Sequence, residues 1–252
     1  MSMTDNMKKA GTGAFAENAR TIGYALVIAL IIRAFLFQPF NIPSSSMVPT
    51  LLVGDYLFVS KYSYGYSKHS LPFSPPLFDG RIFGRQPHRG DIVVFKKPTD
   101  NRTDFIKRLI GLPGDTIQMK HGVLYLNNQP VPRVRVEDFV AGDEFGNVRR
   151  IPQYQETLPN GVSYTTLDLI EESVEDNTGV YVVPPDHYFM MGDNRDNSAD
   201  SRVPSVVGYV PFENLVGKAE IIFFSTDGSA HFWEFWRWPS SIRWNRIFKW
   251  TD

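Results

Sequence analysis

A chain of 252 residues with 42% hydrophobic and 21% charged side chains can build one sizeable core or two small ones, and this mixture excludes wholesale disorder. A net charge of -1 with scattered Lys and Arg provides no broad basic field, which excludes nucleic acid as the partner. With no cysteine there is no disulfide and no thiolate nucleophile, and the histidines (His69, His88, His121, His187, His231) stand at no metal-ligand spacing, so neither metal nor cofactor is expected.

The first predicted element is "TIGYALVIALIIRAFLF", residues 21–37, an apolar helix whose only charge is Arg33. Its length suits a short membrane span; a buried core helix or the apolar region of a signal peptide is the alternative. No small-x-small cleavage site follows, which argues against removal, and Pro39 is expected to stop the helix just beyond. Lys8, Lys9 and Arg20 precede the run and the next cation after Arg33 is Lys61, so the positive-inside bias places residues 1–20 in the cytoplasm and everything after residue 40 outside. Close behind the helix comes "PSSSM", residues 43–47, a serine-rich turn that is by default structural.

Short runs rich in aromatic and β-branched residues follow at 55–60, 91–96, 104–111, 115–120, 122–127 and 217–224, which predicts a mainly β, antiparallel fold. His121-Gly122 and Asn160-Gly161 are hairpin-type turns. The proline-rich stretch 66–90 is expected as a long irregular loop, and the more polar 133–178 as a small inserted β subdomain. It divides the main β domain into 39–132 and 179–230.

Within the strand 104–111, alternation puts Phe105, Lys107 and Leu109 on one side. A lysine on an apolar face either snorkels to a salt bridge or is held neutral, and the neutral form is a general base. After a strand end at 189–191 comes "GDNRDNSADSR", residues 192–202, an Asx-rich loop whose oxygens do not follow the spacing of a calcium-binding loop. The last element, 231–252, gathers all five tryptophans (Trp233, Trp236, Trp238, Trp244, Trp250) among Arg237, Arg243, Arg246 and Lys249. Such a segment either lies in the headgroup layer or packs on the core.

"PSSSMVPTL", "GDYLFVSKYSYG", "RGDIVVFKKP…DFIKRLIGLPGD" and "GDNRDNSADSR", in this order behind an apolar helix, resemble the motif boxes of bacterial type I signal peptidases across most of residues 20–224. The resemblance implies a membrane-bound serine endopeptidase of the bacterial cytoplasmic membrane. Its substrates are exported preproteins, cut after small-x-small signal peptides, and its other partners are membrane lipid and, indirectly, the export machinery. It implies Ser46 as nucleophile and Lys107 as base, with the Ser44 hydroxyl and the Ser46 N–H as oxyanion donors. Ser198 would hold the lysine ammonium, and Asp200 with Arg202 would support the site. Apolar pockets would be built from Phe40, Ile42, Pro43, Met47, Leu51, Val94, Phe105 and Ile106. Ser45 is a departure, since relatives commonly have glycine there. A self-cleaving Ser-Lys repressor would need a DNA-binding domain that the sequence does not show, and a membrane-tethered binding module would tolerate loss of Ser46.

Overall fold

The computed structural model describes residues 3–71, 74–142, 148–231 and 233–251, with side chains described from residue 17 onward. It opens with one long helix, α1 (Met3–Phe35), of which Glu17–Phe35 is long and apolar enough to cross a membrane. Only 6% of that stretch is buried against the rest of the protein, and Ile22, Leu26, Ile28, Leu30 and Ile31 stand exposed along it. A core helix of a soluble protein would hide these side chains, so the buried-helix alternative does not describe α1.

The helix stops earlier than expected. Residues 37–41 are already a strand, β1 (Phe37–Asn41), and Pro39 sits inside it opposite Phe58. A residue preceding proline avoids the helical region, so Gln38 forces the chain to extend, and on an edge strand the missing proline N–H costs no ladder bond. The junction is fixed by backbone and side chain: the Lys61 N–H donates to Leu36 O at 3.0 Å, and the Tyr66 hydroxyl donates to Phe35 O at 2.8 Å.

The main sheet continues with β2 (Asp55–Ser60), β3 (Ile92–Lys96), β4 (Asp104–Gly111), β5 (His187–Met191), β6 (Val210–Pro211), β7 (Leu215–Ser225) and β8 (Lys249–Trp250). Its order is β1-β2-β7-β3-β4-β5-β6, every pair antiparallel, with β8 added to β7. Irregularities of register in β7 and at β4–β5 bend the sheet, as bulges do. Ile42, Met47, Leu51, Leu57, Val59, Ile92 and Val94 close the core under the turn that follows β1.

Three smaller sheets lie between β4 and β5: a four-stranded one from 116–130 and 181–182, a three-stranded one from 133–135, 153–157 and 163–167, and a pair from 139–142 and 148–151. They begin upstream of residue 133, where the change of composition suggested a boundary. The hairpin 116–126 is as apolar as the main sheet, so composition cannot separate it. Its turn is His121-Gly122, both at positive φ (47° and 71°). Part of the 66–90 stretch, residues 72 and 73, lies outside the described residues; within the rest, the Arg81 guanidinium donates to the carbonyls of Gly65, Phe212, Glu213 and Leu215.

The core-packing alternative describes the backbone of the C-terminal segment. Arg246 makes a double contact with the Asp55 carboxylate at 3.0 and 2.5 Å, and β8 pairs with β7, so the backbone is tied to the body. All five indoles remain exposed.

Candidate active site

The turn after β1 is anchored by the two residues that follow its serines. Met47 and Leu51 are fully buried, each worth about 2 kcal/mol of burial, and Leu51 N–H donates to Met47 O at 2.9 Å. They were expected to line a substrate pocket; both are buried in the core instead and do not wall the cleft described below. Their burial fixes where Ser46 sits.

Lys107 arrives from β4, opposite Val93 of β3. Its Nζ stands 2.6 Å from Ser46 Oγ and donates to Ile106 O at 3.0 Å, with only 3% of the residue exposed. Among the described residues no carboxylate lies within salt-bridge distance of Nζ. Burial is therefore the largest effect on the amine and lowers its pKa to about 8, against a smaller upward pull from Asp200 and Asp193. Ser44 Oγ lies 3.4 Å from Ser46 Oγ. Among the described residues the Ser46 backbone N–H has no acceptor.

A cleft of about 400 Å3 opens in front of the pair. Phe40, Ile42, Pro43, Val94, Phe105 and Ile106, all named from sequence, wall it, with Ser44 and Lys107 at its end. Its surface is mostly apolar.

The Asx-rich loop holds this turn from behind. Asn194 N–H donates to Ser46 O and Asn194 Nδ2 to Ser45 O, both at 3.1 Å, while Asn197 Nδ2 donates to Ser45 Oγ at 2.8 Å. The Ser45 hydroxyl thus has a partner that glycine would lack. Ser45→Gly and Asn197→Ala are each expected to lower turnover about threefold to tenfold, and the double variant no further, because both remove one hydrogen bond. Additive losses in a double-mutant cycle would show that the bond does not position Ser46. Gly192 must be glycine: a Cβ there would fall 2.2 Å from Ser198 Oγ and 2.6 Å from Ser46 O.

Asp200 and Arg202 form a buried double contact, both distances 2.9 Å, and Asp200 also accepts the Gly192 N–H. Their distance from Nζ makes them a support for the loop. Ser198 departs from the expectation: its buried hydroxyl makes no bond to Lys107 and interacts with the Asp200 carboxylate instead. It is pressed against Gly192, while Lys107 Nζ is taken by Ser46 and the Ile106 carbonyl.

Sequence reasoning missed the rest of the support. Asp193 accepts from Arg108 Nε and Nη2, both at 2.8 Å, and from Thr50 Oγ1 at 2.5 Å. Arg195 grips Glu156 at 2.8 and 2.5 Å, and the Tyr164 hydroxyl donates to the same carboxylate. Glu156 and Tyr164 come from the inserted three-stranded sheet, which also exchanges backbone bonds with the loop at Leu167. Arg108 directly after Lys107, and the charge of the loop itself, were the available signals.

Among the described residues, one group of carboxylates is close enough to hold a cation: Asp168, Asp176 and Asp196. Each is engaged already, by Arg133, the Ser173 N–H, and the Leu169 and Ile170 N–H groups respectively.

Residues 15–224 match the family described as signal peptidase, peptidase S26. Signal peptidase I of Rickettsia typhi (strain ATCC VR-144 / Wilmington) is 44% identical over 245 residues, spanning 90% of this chain and 90% of that one. Signal peptidase I of Rickettsia conorii (strain ATCC VR-613 / Malish 7) is 42% identical, spanning 98% of this chain and 97% of that one. A crystal structure of a signal peptidase I from Enterococcus faecalis V583 is 27% identical and covers 53% of this chain and 97% of that one, with a TM-score of 0.30. The family match takes in the end of α1, the serine turn, the lysine strand and the Asx loop together, and by it the chain belongs to the signal peptidases of peptidase family S26.

Proposed function

We propose that this protein, anchored by α1 with its N-terminus in the cytoplasm, removes signal peptides from exported preproteins on the outer side of the membrane. The observation that carries the chemistry is the 2.6 Å approach of Lys107 Nζ to Ser46 Oγ at the end of an apolar cleft. A largely desolvated amine takes the hydroxyl proton as Oγ attacks the scissile carbonyl. The Ser46 N–H and Ser44 hydroxyl face the oxyanion; one such donor is worth about 10² to 10³ in rate. Collapse of the tetrahedral species expels the amine of the mature protein, which takes the proton from the Lys107 ammonium. Lys107 then deprotonates water to hydrolyse the ester and free the signal peptide.

The cleft's wall of Phe40, Ile42, Val94 and Ile106 favours small residues before the cut, hence small-x-small sites. The end of α1, Phe35, lies eleven residues before Ser46, which keeps the nucleophile near the membrane surface, where the exposed tryptophans of 231–252 would share the headgroup layer. Mass spectrometry of a detergent-solubilised preprotein with an Ala-x-Ala site tests the reading. Cleavage after the second alanine by the intact chain, and none by Ser46→Ala, is expected. A folded intact chain that leaves the preprotein whole, or a Ser46→Ala chain that cuts it, would overturn it.

A further inference from the structure

Beside the active-site cleft, and sharing Phe40 and Asp104 with it, lies a second groove of about 580 Å3. It is formed where the last turns of α1 (Leu30, Arg33) meet β1 and the β3–β4 hairpin, which contributes Lys96, Arg102 and Asp104. Its charge is unbalanced. Among the described residues Asp104 is the only carboxylate lining it, and it is already bonded to Lys96 at 2.9 Å. Arg33 and Arg102 are exposed and have no carboxylate partner among the described residues. Beneath them Lys61 is buried, its ammonium donating to the Ser70 carbonyl. After burial, the nearby Arg33 charge is the next cause holding the Lys61 pKa down, to about 8, against an upward pull from Asp104.

Position and shape select the anion. Arg33 lies two residues from the end of the membrane-crossing stretch, at the depth of lipid phosphates. Leu26 and Leu30 precede it at helical spacing, on the same face, and both are exposed. An acyl chain would run along these leucines below a phosphate held in the groove. We propose that this groove binds the phosphate of an anionic phospholipid between Arg33 and Arg102, with an acyl chain on the Leu26–Leu30 face of α1. The site rests on the membrane-anchored reading of α1 and not on the Ser-Lys chemistry.

Native mass spectrometry of the full chain released from detergent, with equal amounts of phosphatidylglycerol and phosphatidylcholine of the same acyl chains, tests this. The intact protein is expected to retain phosphatidylglycerol preferentially. Arg102→Gln, which leaves the helix untouched, should reduce the preference about fivefold, and Arg33→Gln/Arg102→Gln should reduce it by that factor again, since one cation near a lipid phosphate is worth about 1 kcal/mol. Ser46→Ala and Arg150→Gln, an exposed cation of the 148–151 strand, should keep it. Equal retention of the two lipids by the intact chain, or an unchanged preference in the double variant, overturns the proposal. Capture of inorganic phosphate without any lipid preference would reassign the groove to a soluble anion and equally overturn it.

Discussion

Lys107→Met is expected to abolish peptidase activity, by about 10³-fold or more, while leaving a protein more stable than the original. Methionine keeps the apolar stem but removes the one basic group that, among the described residues, reaches Ser46 Oγ. General-base catalysis contributes about 10² to 10⁴, and Ser46 without a base is a poor nucleophile. In the intact enzyme the rate should rise as Lys107 loses its proton and level off above about pH 8. Stability follows with a definite sign. The unfolded chain holds this proton up to about pH 10.5 and the folded chain only to about 8, so between these values the unfolded state binds more protons and stability rises with pH. Lys61, also lowered to about 8, adds a second slope of the same sign. Lys107→Met should therefore lose about half of the rise in denaturation midpoint between pH 7 and 10. It should gain stability at pH 7, where a buried ammonium is costly. A flat rate profile from pH 6 to 10, or a methionine variant that retains turnover, would sink the assignment of Lys107 as base.

What the sequence discloses and conceals divides along sequence separation. Ser46 follows an apolar helix closely, and Lys107 interrupts an apolar strand, so both are anomalies visible within a few residues. The strands at 55–60, 104–111 and 217–224 announce themselves by aromatic and β-branched runs. The end of α1 was misplaced because hydropathy continues through Leu36 and Phe37, whereas backbone geometry is governed by Pro39 two residues later. Met47 and Leu51 could not be told from cleft residues, since apolar side chains under a pocket and in its wall look alike until the turn is folded. The support of the nucleophile was hidden most completely. Arg108 meets Asp193 across 85 positions and Glu156 meets Arg195 across 39, and no local pattern pairs one charge with another over such spans.

That hidden support carries the second large effect. Behind Ser46 and Lys107, the cations Arg108, Arg195 and Arg202 are matched by Asp193, Glu156 and Asp200, all of them buried, so the network is electrically neutral. Its net worth to stability is small, because desolvation offsets most of the attraction; its geometry is what the site uses. Removing one member exposes the imbalance. Asp193→Ala leaves the Arg108 guanidinium, 1% exposed, without its carboxylate, which costs about 3 to 5 kcal/mol. For a protein of this size the melting temperature should fall by about 10 °C. Arg108→Met/Asp193→Leu, which replaces the pair by apolar groups of similar bulk, should recover most of that loss. Turnover should not recover with it. Asp193 precedes Asn194, whose N–H and side-chain amide hold Ser46 O and Ser45 O, and Thr50 Oγ1 ties the same carboxylate to the serine turn. An apolar pair can fill the space but cannot bind Thr50 or fix the start of the loop. A double variant that regains both stability and turnover would make the network mere packing; one that regains stability alone separates the fold's need for a filled core from the nucleophile's need for a charged clamp.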